Sequence, residues 1–179
     1  MPTRDLPPIL CLPDPRLRAS ARTVRLPDPE VERLIDELCA AMRAARGLGL
    51  AAPQIGRDER VAVVEADGRQ LVLINPEIVA RRGRQLGWEG CLSVPNLVAH
   101  VQRPAEVTVA GIDRGGRPVR YRCSGLLARA VAHEVDHLAG RLYVDLVDPA
   151  SLVDVREHPT PPTVDPKVAS TTPAEAVNR

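Results

Sequence analysis

The chain of 179 residues has 24 Lys and Arg against 23 Asp and Glu, so its formal net charge at pH 7 is +1. A charge this small supplies no strong field for a polyanionic partner. With no Phe, one Trp and two Tyr, the chain also lacks the aromatic platforms of base-stacking nucleic-acid modules. No run approaches the ~18 apolar residues of a membrane span, and no signal-peptide core is present near the start. These features predict a cytoplasmic protein with no membrane and no specific nucleic-acid partner.

Length and patterning predict one domain over residues 1–155 and a tail over 156–179. The tail is rich in Pro, Thr, Val and Ala without a period, and we expect it to be disordered. Four cysteines are widely spaced without a Cys-x-x-Cys pair: Cys11, Cys39, Cys91 and Cys123. In a reducing cytoplasm, such residues are more often metal ligands, nucleophiles or core residues than disulfides.

The first predicted helix begins after Asp28, a favourable N-cap, with Pro29 at its first position. Its apolar residues recur at intervals of three and four and predict one buried face. These residues are Val31, Leu34, Ile35, Leu38 and Met42. Arg43 and Arg46 fall in the last turn, and Gly47 is the natural stop.

Seven short β-forming segments follow: 61–65, 70–74, 77–81, 85–89, 98–102, 106–112 and 118–122. Hairpin turns are predicted at 67–68 and 113–116, a break at Asn75-Pro76, and a further hairpin at 82–84. Short strands with tight turns indicate mainly antiparallel sheets. We expect an α+β fold in which these sheets pack around a central metal-binding helix, with one N-terminal helix.

That central helix is predicted over about 125–138, with Ser124 as its N-cap. It contains His133 and His137, which lie on one helix face because they are four residues apart. Both imidazoles can therefore reach one metal ion. Glu134 is rotated by about 100° from His133, so its carboxylate can stand beside the metal without binding it. This pattern is typical of metal-assisted hydrolysis.

A zinc or iron site of this kind requires at least a third protein ligand and an open position. Cys91 is the best candidate, because it follows Gly90 in a turn at the end of a strand. The other three cysteines lack that setting. A thiol beside a divalent cation is deprotonated, and a Cys-His-His set leaves one tetrahedral position for water.

Three separated motifs together resemble the peptide deformylase family, the metallohydrolases that remove the formyl group from the N-terminal methionine of new bacterial polypeptides. The motifs are Gly47-Leu-Gly-Leu-Ala-Ala-Pro-Gln54, Glu89-Gly-Cys-Leu-Ser93 and His133-Glu-Val-Asp-His137. The resemblance covers about residues 5–147. It includes a Pro-Asp-Pro-Arg-Leu-Arg stretch at 13–18 and an Ile-Asn-Pro stretch at 74–76.

The resemblance implies one divalent cation per chain, natively Fe²⁺, with Zn²⁺, Ni²⁺ or Co²⁺ able to substitute. Its ligands would be Cys91, His133 and His137. Glu134 would take a proton from water and deliver it to the leaving amine. The Gln54 amide and the Leu92 backbone N–H would bind the formyl oxygen as it becomes an oxyanion.

The implied substrate is an N-formylmethionyl peptide held as an added strand, with the methionine side chain in a pocket. The implied substrate-binding residues are Leu48, Gly49, Gly90, Leu126 and Ala130. We expect Arg129, on the same helix, to turn its head to solvent. Arg103 and Asp136 are expected to form an ion pair that steadies the helix against the sheet, with a plain surface contact as the alternative.

Three features depart from the family pattern. Ala132 stands where the family often has Gln, a minor change. Val98 stands where an Arg is frequent near the bound peptide, which affects peptide affinity or preference and leaves hydrolysis intact. No amphipathic helix follows residue 147, so a transient partnership with the ribosome exit region cannot use the C-terminal helix that some members have.

Three other functions remain open at this point. A related metal-dependent amidase acting on another N-formyl or N-acyl substrate would suit the change at Val98. An inactive metal-binding or interaction domain is disfavoured, because it would not need Glu134 or Gln54. A general metalloprotease is the weakest alternative, since Cys is unusual there as the third ligand.

Overall fold

The computed structural model describes residues 6–157. The predicted tail lies outside the described residues from position 158 onwards, and the boundary at 155 stays a prediction. Within the described residues there are two α-helices, α1 (Pro29–Ala44) and α2 (Gly125–His137), and two sheets whose strands pair antiparallel. The predicted α+β class is therefore confirmed. No helix in this part of the chain is long and apolar enough to cross a membrane.

Among the described residues, eight strands form the two sheets, and four short 3-10 helices lie before or between these strands. The five-stranded sheet has the order β1-β2-β3-β6-β7, and the three-stranded sheet has the order β4-β5-β8. The strands are β1 (Gly49–Ala51), β2 (Val61–Ala66), β3 (Arg69–Arg82), β4 (Gln85–Cys91), β5 (Val94–Arg103), β6 (Glu106–Ile112), β7 (Pro118–Ser124) and β8 (Val153–Asp154). The 3-10 helices are Pro15–Arg18, Ala52–Ile55, Tyr143–Leu146 and Pro149–Ser151.

Helix α1 begins as predicted and ends one residue early. The Asp28 side chain accepts a hydrogen bond from the Glu30 N–H at 2.9 Å, which confirms the N-cap. At the other end, Arg46 adopts the left-handed conformation with φ of 55°. The predicted stop at Gly47 was therefore wrong in position, although Gly47 N–H still closes the helix by bonding the Met42 carbonyl at 2.9 Å.

The two helices cover opposite faces of the five-stranded sheet. Successive side chains of a strand point to opposite faces. On β2, Val61 and Val63 accordingly pack in the cluster that contains α1, whereas Ala62 and Val64 pack in the cluster that contains α2. All four residues are buried, so β2 lies between the two clusters and contributes side chains to both.

Two predictions about strand ends were wrong. Asn75-Pro76 does not break the chain, because β3 continues across it with a shift in register against β6. Residues 82–84 do not close a hairpin, because β3 pairs with β2 and β6 while β4 pairs with β5 in the other sheet. This turn carries the chain from one sheet to the other.

Helix α2 starts at the predicted place with a different cap. Ser124 occupies the N-cap position, but its side chain makes no capping hydrogen bond. Asp67, in the confirmed turn between β2 and β3, instead accepts a bond from the Leu127 N–H at 3.2 Å. The turn of one hairpin therefore holds the start of the helix that contains both histidines of the motif.

Candidate metal centre

Helix α2 and the end of β4 bring three ligand-type side chains together. The ring centroids of His133 and His137 are 5.0 Å apart, as expected for residues on one helix face. Cys91 Sγ lies 3.1 Å from His137 Nε2, and the donor atoms of all three residues lie within 4.8 Å of one another. Ligands at 2.0–2.3 Å from a tetrahedral ion are roughly 3.3–3.8 Å apart, so the set fits one divalent cation with little adjustment.

The two histidines differ in their electrostatic surroundings. Burial alone would lower the pKa of His133, but hydrogen bonds with Cys91 and Glu89 outweigh burial and raise that pKa to about 10. For His137, burial and then the neighbouring charge of His133 hold the pKa well below its ordinary value. The surroundings thus favour a single positive charge on the pair of imidazoles.

Glu89 is a site residue to which the sequence reasoning gave no role. Its carboxylate is buried, and Oε2 lies 3.0 Å from His133 Nδ1. A signal was available, because residues two apart on a strand share a face, which places Glu89 beside Cys91. Burial would raise the pKa of Glu89, but bonds with His133 and Arg103 lower it to about 2. This ionised carboxylate orients the ring and would leave His133 Nε2 available to a metal ion.

Arg129 contradicts the prediction that its head reaches solvent. The residue is only 7% exposed, and Nη1 lies 2.8 Å from Glu89 Oε1. The same nitrogen donates to the carbonyls of Gly87 at 3.2 Å and Val101 at 3.0 Å. A Cβ at Gly87 would lie 3.0 Å from the guanidinium, so the glycine leaves room for this side chain. The Arg129 side chain turns inward because these acceptors lie in the interior.

Arg103 and Asp136 form the expected ion pair between β5 and α2. Both side chains are buried, so the alternative of a plain surface contact is excluded. Arg103 also binds Glu89 through Nε at 2.9 Å and Nη2 at 3.0 Å. On its other side, Asp136 binds Arg141 at 2.6 Å. A continuous network of charges therefore joins helix α2 to the three-stranded sheet.

Glu134 points into the cavity from the face of α2 next to the ligands. Its Oε2 atom is buried and has no hydrogen-bond partner among the described residues. Burial, with a smaller contribution from the charge of Glu89, raises the pKa of Glu134 to about 7. A Cβ at Gly49 would lie 2.8 Å from Glu134 Cδ, so only glycine leaves space for the carboxylate. The carboxylate therefore has few accessible positions, and its Oε2 atom can accept a proton.

Gln54 is buried on the 3-10 helix after β1, with a fixed amide orientation. Its Oε1 accepts from the Ala51 N–H at 2.8 Å, so Nε2 is directed towards the β4–β5 turn. There Nε2 lies 3.1 Å from Ser93 Oγ and 3.7 Å from Cys91 Sγ. Leu92 is in the same turn. Ser93 belongs to the second motif, and no role was predicted for it. Its hydroxyl connects the Gln54 amide to the β4–β5 turn.

A cavity of about 360 Å³ opens beside these residues. It is lined by all five residues predicted to bind substrate, together with Cys91, Leu92, His133, Glu134 and Gln54. Leu48 and Leu126 are 48% and 43% exposed at its mouth, and Ala130 is buried. His137, Arg103 and Asp136 are not part of the lining. The structure therefore places the predicted substrate residues around one opening and the ion pair behind it.

Comparisons with known proteins agree on one family. The family model described as polypeptide deformylase matches residues 6–152. A peptide deformylase of Thermomicrobium roseum is 52% identical over 147 residues, covering 77% of this chain and 84% of that protein. The crystal structure of a peptide deformylase from Legionella pneumophila is 43% identical with a TM-score of 0.78, covering 82% of this chain and 89% of the other. A structure from Synechococcus elongatus, in complex with actinonin, is 39% identical with a TM-score of 0.77, covering 82% and 84%. The chain belongs to the polypeptide deformylase family.

Proposed function

We propose that the cavity beside α2 deformylates N-formylmethionyl peptides, with one residue or backbone group assigned to each task. Family membership makes the chain an enzyme of protein biosynthesis that removes the formyl group from nascent peptides. The observation that supports the assignment is a Cys-His-His donor set, an unpartnered Glu134 carboxylate oxygen and the Gln54 amide around one opening.

In this proposal α2 is the central metal-binding helix of the fold. Cys91, His133 and His137 hold one divalent ion, Fe²⁺ natively, with Zn²⁺, Ni²⁺ or Co²⁺ able to substitute. When bound, the ion supplies a Lewis acid that brings the pKa of a water towards ~7. Glu89 fixes the ring of His133 by accepting from its Nδ1–H, and the guanidiniums around Glu89 keep that carboxylate ionised.

Glu134 is the proton carrier. Its carboxylate accepts the proton of the attacking water and delivers it to the nitrogen of the departing amine, so the same oxygen acts first as base and then as acid. Burial raises the pKa of Glu134, which favours acceptance of a proton by its carboxylate. Gly49 confines the carboxylate on one side and so limits its positions.

Gln54 and the Leu92 backbone N–H bind the formyl oxygen as negative charge develops on it. The Gln54 amide is held in advance by Ala51 and Ser93, so its orientation is set before the substrate binds. One such donor commonly contributes ~3–4 kcal/mol to transition-state stabilisation.

The peptide itself binds along the mouth of the cavity. The main chains of Leu48 and Gly90 hold it as an added strand, a mode that reads little sequence. Leu126 and Ala130 line the pocket for the methionine side chain, beside Glu134 and His133. Val98 also lines the opening, and it gives the part of the peptide beyond methionine an apolar neighbour.

We place this activity in the bacterial cytoplasm, on peptides emerging from the ribosome exit region. The support is the substrate class, because formylated N termini are made there during synthesis. Between α2 and residue 157 the described chain has only 3-10 helices and the short strand β8. A partnership with the ribosome would therefore use another surface than a C-terminal α-helix within this part.

The decisive experiment measures formate release from a formyl-Met dipeptide beside an acetyl-Met control, with protein purified without oxygen and its bound metal quantified. Formate release that disappears in Glu134→Ala supports the proposal. Metal binding without release from formyl-Met, but with turnover of another amide, would show the related amidase. Bound metal with no turnover of any amide would indicate a binding domain.

A further inference from the structure

A short N-terminal segment lies across the two backbone segments that supply the oxyanion donors. We propose that this segment, residues 9–12 and hereafter the N-terminal strap, is a positioning element that fixes the Leu92 backbone relative to the Gln54 amide. The inference rests on the proposed function, because it assigns the strap a role through those two donors.

Three contacts join the strap to the two segments. The Leu10 N–H donates to the Gln54 carbonyl at 2.7 Å, and the Leu12 N–H donates to the Ser93 carbonyl at 2.9 Å. Between them, Cys11 Sγ lies 3.6 Å from the Leu92 carbonyl oxygen. Alternate strap residues therefore bond to the 3-10 helix on one side and to the β4–β5 turn on the other.

These two segments belong to different parts of the fold. The 3-10 helix with Gln54 follows β1 of the five-stranded sheet, whereas the turn with Leu92 joins β4 and β5 of the three-stranded sheet. Besides the strap, the Gln54 side chain itself bridges them, through Ser93 and Cys91. If the Gln54 amide were the sole bridge, any movement of one sheet relative to the other would displace it. The backbone hydrogen bonds of the strap limit that movement and so hold the amide in place.

The strap is anchored in the core on both sides. Ile9 packs against the cluster that contains α1 and β2, and Leu12 packs against the cluster of β5, together with Cys91. The strap therefore contacts both clusters at the point where they meet, where Leu92 also packs against the cluster of α1 and β2. It also holds two successive carbonyls, those of Leu92 and Ser93, and so limits rotation of the peptide units that follow the Leu92 N–H.

The geometric demand on such donors is strict. An oxyanion donor acts at about 2.7–3.1 Å from the developing charge, and productive geometry tolerates displacements of only ~0.5 Å. Losing a strap bond would let the turn relax by that amount without unfolding the sheets. The expected effect is on the transition state, so kcat falls while KM and metal binding change little.

The test compares proline with alanine at the two donor positions in the full-length, zinc-loaded protein. Leu12→Pro and Leu10→Pro each remove one N–H, whereas Leu12→Ala and Leu10→Ala keep it and remove the same side chain. Steady-state kinetics with the formyl-Met dipeptide are measured well below the Tm of each variant, with bound zinc quantified. We expect each proline variant to lose ~10-fold or more in kcat, with KM and zinc within about twofold of its alanine partner.

Backbone amide exchange on the unaltered protein gives a second readout that needs no variant. We expect the amides of Leu10 and Leu12 to exchange slowly, because both are bonded. Fast exchange at both positions, or equal kcat in the proline and alanine variants, would overturn the inference. Absence of formate release from the unaltered protein would instead overturn the proposed function.

Discussion

Replacing Arg129 by Met removes a buried guanidinium and keeps most of the side-chain volume. The change leaves Glu89 without its 2.8 Å partner and leaves the carbonyls of Gly87 and Val101 without this donor. The prediction concerns two quantities, the free energy of unfolding and the affinity for the metal, because Glu89 links the guanidinium to the ring of His133.

The magnitude follows from what remains around the carboxylate. Breaking a buried ion pair by removing one partner costs about 3–5 kcal/mol. Glu89 keeps two bonds from Arg103 and one from His133, and the methionine retains apolar contacts. We therefore expect Arg129→Met to lower the free energy of unfolding by ~2–3 kcal/mol, below the full cost. Loosening the acceptor that orients His133 should weaken zinc binding ~10-fold.

Urea unfolding of the zinc-loaded protein and competition with a chelator measure the two quantities. Arg141→Met is the matched control, because Arg141 pairs with Asp136 in the same network but its side chain is 58% exposed. Because the arginine of this pair is exposed to solvent, its loss should cost ~0–1 kcal/mol, and this change should leave zinc affinity unaltered. If both variants lose the same stability and bind zinc alike, the reasoning that burial makes Arg129 matter is refuted.

Three further predictions use other contacts of the site. Gly49→Ala places a Cβ 2.8 Å from Glu134 Cδ, so kcat should fall by ~10-fold or more from the misplaced proton carrier with bound zinc unchanged; unaltered kcat would mean that the carboxylate has room to move. Cys91→Ala should lose tight metal binding while Cys39→Ala keeps it, and equal metal content in both variants would contradict the ligand assignment. The pKa of Glu89 is lowered from 4.5 to about 2, so its ionisation stabilises the fold fully above pH ~4.5, and this contribution of roughly 3 kcal/mol is lost as the pH falls towards ~2. Glu89→Gln should flatten the dependence of unfolding free energy on pH in that window. If the variant loses stability between pH ~4.5 and ~2 as the unaltered protein does, other groups control the acid dependence.

The elements that sequence reasoning placed correctly depend on local chemistry. The cap of α1 at Asp28 and the hairpin turn at Asp67 are set by residues adjacent in the chain. The spacing of His133 and His137 likewise fixes their common face, whatever surrounds the helix. Selecting Cys91 among four cysteines used its predicted position at the end of a strand, and the structure places it as the last residue of β4. These features need no knowledge of distant partners.

The wrong predictions concern contacts between distant segments. Residues 82–84 look like a hairpin turn, yet the choice of sheet for β4 depends on β5 and α2. Arg129 would face solvent on an isolated helix, but its acceptors come from β4 and β5. Pro76 remains inside β3 because a register shift accommodates it. For Arg129 and Pro76 the partners that decide the outcome are more than twenty residues away, beyond the reach of local patterns.

The distribution of charge explains why so many arginines surround a site for a cation. Arg103, Arg129 and Arg141 are ion-paired with two carboxylates, those of Glu89 and Asp136, behind the ligands. This offsets the negative charge that would otherwise draw the cation, or a proton, away from the cavity. Of the two glutamates in the cavity lining, the one outside the arginine network is then Glu134. Under the proposed function, the network thus leaves Glu134 as the cavity carboxylate available for proton transfer, and it connects α2 to β4 and β5.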